Sequence, residues 1–404
     1  MSEPLVIIGN GMAAARLADE LSTRALGRYA VAIIGEEPRL AYNRVLLSSV
    51  LAGEVASSDI ELKPTKWWVD RGITLRYGCR AAAIDPAAHT VTLADGQSLS
   101  FSKLVLATGS QPIKPAIPGM TLPGVITFRE INDIWAMWHR AGTDDRVVVI
   151  GGGLLGLEAA YGLAKAGARV TVLHLMDRLM ERQLDARAAA MLKRAVEAKG
   201  IEVILNAGTA EISGAGRVEG VVLKDGRTIA ADAVVVAIGI RPNADLGRAA
   251  GIAVKRGIVV DDTLQTSLPG IYAIGECAEH RGIVYGLVEP AYEQAHALAD
   301  HLVGRAAHYG GSVLATNLKV SGVNVFSAGD FLGRENTEEI VVSDPGAGIY
   351  KKLVLADDRL VGAVLFGDTA DGAWYLDLIR SAQPLKGLYD DLAFGRTCTN
   401  AIAA

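Results

Sequence analysis

Cysteine is nearly absent from this sequence: three residues in 404, at positions 79, 277 and 398. They are odd in number and far apart, so no disulfide framework is expected and no CxxC pair exists to hold zinc or an iron–sulfur cluster. A reducing, cytoplasmic compartment is the expectation, with Cys79 and Cys277 as ordinary buried thiols. Lys/Arg-rich runs are also missing and the net charge of -5 is mild, which argues against nucleic acid as a partner. No apolar run is both long and uninterrupted. The stretches near 147–164 and 231–240 are broken by clustered glycines or by a charge, Glu158 and Asp232, and suit buried strands and helices rather than membrane spans. The opening Met1-Ser2-Glu3-Pro4 carries no basic side chain, and the apolar run 5–8 passes straight into glycines, so no signal peptide is expected. No serine nucleophile elbow and no HExxH occur, and the seven histidines are scattered without metal-ligand spacing; hydrolase and metal-centre chemistries lose support.

What is there is a repeated pattern. Half the residues are hydrophobic and glycine is abundant, a globular composition in a chain long enough for two or three domains. An apolar strand beginning at Leu5 runs into Gly9-Asn10-Gly11, then a helix extends to about Leu26 and a second strand covers 31–34. About 140 residues later, one domain length, Arg146-Val-Val-Val-Ile-Gly-Gly-Gly-Leu-Leu-Gly repeats strand, turn and helix, with 170–173 as its second strand. Each unit has the size of a βαβ crossover. Each also gains a later strand ending in glycine, 103–109 and 232–239, and a hairpin with an Asp-Gly turn, at Asp95-Gly96 and Asp225-Gly226. The expected fold is therefore α/β, with two Rossmann-like (three-layer ββα/α) dinucleotide-binding domains. After a third strand, 270–276, and a helix from Pro290 to about Val303, alternating short strands at 317–326, 338–342, 350–355 and 360–366 and a helix at 369–381 predict a small α+β C-terminal domain. The tail after Lys386 carries no interpretable signal. The expected division is 1–112 with 243–310, then 113–242, then 311–404.

The chemistry sits at the turns. Gly9 permits the tight turn, Gly11 lets a pyrophosphate approach the backbone, and the small Ala14 lets helix and strand pack closely. The helix N-terminus offers free N–H groups and a positive dipole to phosphate. Glu36 follows the second strand at the distance of a carboxylate that binds a ribose diol, with Glu37 as its competitor. The second turn, Gly151-x-Gly153-x-x-Gly156, meets His174 rather than an acid at the strand end. His174 with Arg178 would tolerate a 2′-phosphate; the plainer alternative is a half-buried strand-end histidine. Glu158 is either an exposed first-turn acid stabilised by the helix dipole or a group lining a nicotinamide pocket. Glu276, after a strand ending in Gly275, would reach a ribityl hydroxyl or serve as an acid at a helix start.

Taken in order, Gly9–Ala14, Tyr42-Asn43-Arg44, Ala107-Thr108-Gly109, Gly151–Glu158, Gly239-Ile240-Arg241-Pro242-Asn243 and Ala273-Ile274-Gly275-Glu276 resemble the FAD/NAD-linked reductases of the pyridine nucleotide-disulfide oxidoreductase superfamily. The segments 42–53, 174–176 and 181–185 look most like the flavin module of NAD(P)H nitrite reductases, with the assimilatory nitrate reductase electron-transfer subunits and rubredoxin reductases close in kind. The resemblance implies FAD held by the first and third segments, through Gly9, Gly11, Ala14, Glu36, Ala107, Thr108 and Gly109, with Arg44 and Arg129 near its phosphates or flavin, Ala81 offering backbone to the adenine, and Glu276 and Val288 at the flavin end. It implies NADH or NADPH as substrate in the middle segment, at Gly151, Gly153, Leu154, Leu155, Gly156, Glu158, His174, Arg178 and Gly239. Ser49 stands where ferredoxin-reductase relatives often carry a lysine near the flavin. The redox cysteine of the disulfide reductases has no counterpart before Cys79, so no dithiol relay is expected.

The expected function is an FAD-dependent reductase that takes a hydride from NAD(P)H and passes electrons to a protein acceptor of iron–sulfur, rubredoxin or haem/siroheme type, without a catalytic side chain of its own. The chain stops before the iron–sulfur and siroheme domains of a nitrite reductase large subunit and is expected not to reduce nitrite alone. An NAD(P)H oxidase or peroxidase and a redox-dependent binding protein are the alternatives. The choice of acceptor, the choice between the two nucleotides and the formation of a homodimer stay open at this stage.

Overall fold

The structure is a computed structural model that describes residues 2–140, 142, 144–320, 322–385 and 387–397; Cys398 lies outside them. The chain divides into two compact units.

The first unit comprises Met1–Leu47, Val55–Ile113 and Ile240–Ser312. Its centre is a five-stranded parallel sheet in the order Ile271–Ala273, Lys103–Leu106, Glu3–Ile8, Tyr29–Gly35 and Thr74–Tyr77. The register sets Ile7 opposite Ile33 and Val105. A strand covered on both faces needs continuous apolar sequence, and Leu5, Val6, Ile7 and Ile8 are all buried. Each such side chain contributes about 1.5–3 kcal/mol on burial, so these short strands are among the strongest anchors of the unit. The helix Met12–Arg24 crosses from the first strand to the second, and Val288–Leu302 packs against it. Ala14, Ala15 and Ala18 on one helix and Ala291, Ala295 and Ala299 on the other are buried, small side chains that allow close approach. Arg24 Nη1 meets Asp300 Oδ1 at 2.6 Å, and the Tyr29 hydroxyl donates to the Leu302 carbonyl at 2.7 Å. The strands Ala81–Asp85, Thr90–Leu93 and Ser98–Ser100 form the inserted antiparallel sheet, turning at Gly96 with φ +85°.

The second unit comprises Ser48–Glu54, Lys114–Gly239 and Val313–Ala404. It repeats the plan: a parallel sheet in the order Glu202–Ile204, Arg169–Leu173, Arg146–Ile150, Ala233–Val236 and Val125–Thr127, with an antiparallel insert of Thr209–Ser213, Gly220–Leu223 and Thr228–Ala230. The segment 48–54 joins this unit through the helix Leu154–Lys165. Gly162 leaves room for Leu51, which an added Cβ would approach to 2.8 Å, and Lys165 Nζ pairs with Glu54 at 2.8 Å. Trp138 Nε1 donates to the Leu51 carbonyl at 3.2 Å.

The same unit carries an antiparallel sheet ordered Ala315–Val320, Val323–Gly329, Arg359–Phe366, Ile349–Ala356 and Glu338–Asp344, packed on the helix Gly372–Ser381. One expectation is corrected here. The single strand expected over 317–326 is a hairpin, with Val320 opposite Val323; Gly322, at φ +79°, supplies the turn. Beyond the helix Gly372–Ser381, Leu385 and Leu392 are fully buried in the core built by Phe326, Leu353, Leu365 and Tyr375. The fold is thus α/β, two Rossmann-like sheets with antiparallel inserts, and a small α+β C-terminal part.

Candidate functional sites

In the first unit, three strand ends meet one helix start. Gly9 has φ +116°, and a Cβ there would lie 2.0 Å from the Ala107 carbonyl oxygen, so only glycine allows this approach. The Gly9 N–H donates to Ile34 O at 2.8 Å and that of Ala107 to Ile8 O at 2.7 Å. Gly11 caps the helix Met12–Arg24 without a side-chain cap, the first turn has no acid, and nothing lies within 4 Å of the space a Cβ would take. The first N–H groups of this helix therefore face open space, which suits a phosphate. Beside the turn, Asn10 Oδ1 and Arg39 Nε are buried without hydrogen-bond partners, while Asn10 Nδ2 donates to the Arg39 carbonyl at 3.0 Å.

The scattered motifs of this unit are tied together by short hydrogen bonds. Thr108 Oγ1 donates to Asn243 O at 2.6 Å, and the Asn243 N–H to Gly109 O at 2.9 Å. Ser110 Oγ donates to Glu276 Oε2 at 2.8 Å. Gly275, at φ +78°, donates its N–H to Oε1 of the fully buried Gln294 at 2.7 Å. Glu36 is exposed just beyond the second strand, whereas Glu37 accepts from the Tyr42 hydroxyl at 2.7 Å and pairs with Arg44. Arg44 also lies over the Tyr42 ring, 5.0 Å from its centroid. Of the two adjacent acids, Glu37 is thus committed inward and Glu36 points to solvent. Ala81 opens the inserted sheet and Val288 opens the helix Val288–Leu302.

In the second unit, Gly151 repeats Gly9: φ is +124° and a Cβ would lie 2.2 Å from Ala237 O. A Cβ on Gly156 would lie 1.9 Å from Gly151 O, while Gly153, the N-cap of the helix Leu154–Lys165, faces open space. Leu154 and Leu155 form the first turn of that helix, again without a side-chain cap or a first-turn acid.

The residues 3–301 match the model of the pyridine nucleotide-disulphide oxidoreductase family, and 315–383 match that of the rubredoxin NAD+ reductase C-terminal domain. The chain belongs to the pyridine nucleotide-disulphide oxidoreductase family. It is 48% identical over 93% of its length to a nitrite reductase [NAD(P)H] of Bacillus subtilis, covering 47% of that protein. It is 33% identical to the ferredoxin–NAD(+) reductase subunit of the benzene 1,2-dioxygenase system of Pseudomonas putida, covering 90% of this chain and 89% of that one. The ferredoxin reductase of the CYP199A2 system from Rhodopseudomonas palustris superposes with a TM-score of 0.86 at 28% identity, over 95% of this chain and 98% of that one. The chain spans about half the length of the nitrite reductase it matches.

As a member of this family the chain is an oxidoreductase that uses FAD and NAD(P)H. The two uncapped helix starts, the glycines pressed on carbonyls and the orphaned polar atoms of Asn10 and Arg39 fit two dinucleotides. FAD supplies the redox chemistry; the chain positions and shields it.

Glu158 is not an exposed first-turn acid. It is 9% exposed in the second turn of its helix, and burial pushes its carboxyl up to about 7 against the opposing help of a hydrogen bond from Ser48. His174 is 7% exposed and committed at both nitrogens: Nδ1 accepts the Gly152 N–H at 3.0 Å and Nε2 faces Glu181 Oε2 at 3.1 Å. No imidazole nitrogen is left for a 2′-phosphate. Arg178 pairs with Asp177 at 3.1 Å, and its Nε is buried without a partner. Arg129 donates its N–H to Asp133 Oδ2 at 2.6 Å at the start of the helix Ile131–Arg140, and Ser49 and Gly239 also belong to this unit. Cys277 is fully buried, its Sγ 3.3 Å from Ile274 O and 3.4 Å from Leu106 O, and burial raises its thiol.

Sequence reasoning missed Gln294, and included Ser48 and Glu181 only within family-like segments, without a role for either. The signal for Gln294 was present, a lone amide on the alanine-rich buried face of its helix. The pairing of Glu181 with His174 had none, because a chain reversal, not a strand or helix period, brings the two together.

Proposed function

We propose that the chain takes a hydride from NAD(P)H through FAD and hands the electrons to a separate protein with a one-electron centre, of iron–sulfur, rubredoxin or haem/siroheme type. The observation that carries this reading is the pairing of two dinucleotide cradles with unpaired cysteines, Cys277 buried as expected and Cys79 only half-buried rather than buried. Cys277 lies among backbone carbonyls and Cys79 is free, so among the described residues no dithiol stands ready to receive the electrons. The electrons must then leave from the cofactor directly. Each NAD(P)H yields two electrons and a proton, and reduces two one-electron acceptors. Likeness to a ferredoxin reductase along nearly the whole chain supports a protein acceptor. The division into an FAD part, 1–112 with 243–310, a nucleotide part, 113–242, and a C-terminal part, 311–404, accompanies this reading, as does a cytoplasmic location in keeping with free thiols.

The test is an anaerobic titration of the purified FAD-loaded protein with NADH and with NADPH, followed by turnover with a one-electron acceptor such as ferricyanide. Bleaching of the oxidised flavin and fast acceptor reduction are expected. Turnover with oxygen alone at a comparable rate would favour the oxidase, and failure of both nucleotides to bleach the flavin would remove the enzyme.

A further inference from the structure

We propose that the nucleotide site takes NADH in preference to NADPH, and that Glu181, held in place by His174, makes the choice. The proposal rests on the assignment of the 146–173 unit to NAD(P)H. In such a unit the end of the second strand faces the adenosine ribose, and a carboxylate there binds the diol and repels a 2′-phosphate. Here the strand Arg169–Leu173 is followed by a histidine, and the carboxylate arrives from seven residues further along.

The imidazole is fixed as a bracket. His174 donates its backbone N–H to Ile204 O at 2.9 Å, and its carbonyl accepts the Ala207 N–H at 2.8 Å. Nδ1 accepts the Gly152 N–H, so it carries no proton; Nε2 carries the proton and donates it to Glu181 Oε2. The ring packs closely on the glycine loop: a Cβ on Gly152 would lie 2.7 Å from its Cγ.

The chain then turns back over the same loop. Met180, at φ +50°, donates its N–H to Gly152 O at 3.0 Å, which sets Glu181 beside the strand end. The Glu181 side chain is 24% exposed, and one of its oxygens is held by His174. The other, Oε1, has Arg182 Nε at 3.9 Å, a long contact from a side chain that is 86% exposed. Oε1 is therefore available to accept from a ribose hydroxyl, and its negative charge faces any phosphate placed there. Arg178 is the cation that argues the other way, and Asp177 offsets its charge at 3.1 Å.

Calorimetry of the FAD-loaded full chain with ADP-ribose and with 2′-phospho-ADP-ribose tests this without turnover. ADP-ribose is expected to bind at least about tenfold tighter, a difference of about 1.4 kcal/mol. Glu181→Gln should narrow the gap from both sides, weakening ADP-ribose and strengthening the phosphorylated analogue. His174→Asn keeps an acceptor for the Gly152 N–H and loses the donor to Glu181; it should narrow the gap less, with the flavin spectrum unchanged. Equal affinities in the wild type, a preference for the phosphorylated analogue, or an equal shift of both analogues in Glu181→Gln would overturn the proposal. Binding of neither analogue by a protein that retains FAD would instead remove the site assignment, and the proposal with it.

Discussion

The two glycine-turn units solve one backbone problem in the same way and differ in the side chains around it. Gly9 and Gly151 share a left-handed backbone and the same carbonyl pressed where a Cβ would be, at 2.0 and 2.2 Å. Beyond that they part. The third small position is a buried alanine, Ala14, in one unit, and in the other Gly156, where a Cβ would reach 1.9 Å from a carbonyl. Seven residues past the first glycine stands Arg16, whose side chain is 41% exposed and pairs with Glu20, or the buried Glu158. Past the second strand stands the exposed Glu36 or the buried His174. Glycine dictates the cradle, and the side chains that surround it differ between the units.

The largest effect comes from breaking one cradle and sparing the other. Gly151→Ala and Gly9→Ala each force a Cβ into a backbone oxygen at a φ that alanine rarely adopts, at about 3 kcal/mol or more. Gly9→Ala is expected to empty the protein of FAD. Gly151→Ala should keep the yellow flavin spectrum and lose nucleotide binding. Absorbance and calorimetry separate the two, and a Gly9→Ala protein that keeps its FAD at an unchanged melting temperature would contradict the cradle. Ala14→Gly, by contrast, should cost only about 1 kcal/mol of helix stability and leave FAD bound.

The second difference, Arg16 against Glu158, predicts a pH dependence. Burial raises the Glu158 carboxyl from 4.5 to about 7. Below the lower value it is protonated in folded and unfolded chains alike, and its burial carries no charge penalty. As pH rises toward 7 the unfolded chain ionises while the folded one resists, so stability falls by about 1.4 kcal/mol per unit of separation, up to about 3 kcal/mol. Glu158→Gln removes this loss. Its melting temperature should match the wild type near pH 4.5 and exceed it by a growing margin up to about pH 7, then by a constant one. Parallel melting curves across this range would show that the carboxyl is not held neutral.

Much of the fold was legible because its two parallel sheets have a strong local signature. Runs such as Arg146–Ile150 have few alternatives to a doubly covered strand, and the glycines that follow mark the turn. The helix Ala186–Glu197 went unrecognised although its start is conventional: Asp185 accepts the Ala188 N–H at 2.9 Å. Asp185 is also held from far along the chain, by the Tyr350 hydroxyl at 2.6 Å, a contact that no sequence window contains. The C-terminal hairpin was missed because only Ser321 and Gly322 separate its two strands, too brief a break to stand out in an otherwise strand-like run. In the sites, the glycines were legible and their partners were not. Gln294 under Gly275, Ser48 on Glu158 and Glu181 on His174 come from chain segments whose approach is set by packing rather than by spacing.

The smallest effect sharpens the third difference, between the two strand ends. Glu36 is exposed, follows directly on Tyr29–Gly35, and stands where a carboxylate accepts from a ribose diol, while its neighbour Glu37 is occupied by Tyr42 and Arg44. Glu36→Gln keeps one acceptor oxygen and removes the charge, so the hydrogen bonds to the diol weaken without a buried group being orphaned. FAD affinity is expected to fall about tenfold, or about 1.4 kcal/mol, with the melting temperature of the apoprotein unchanged. Glu37→Gln should do the reverse, disturbing the Tyr42–Arg44 cluster and lowering apoprotein stability by about 1 kcal/mol with less effect on FAD than Glu36→Gln. Reconstitution of the two apoproteins with FAD, followed by fluorescence, measures both, and an FAD affinity that responds to Glu37 rather than Glu36 would reverse the assignment of the adjacent acids.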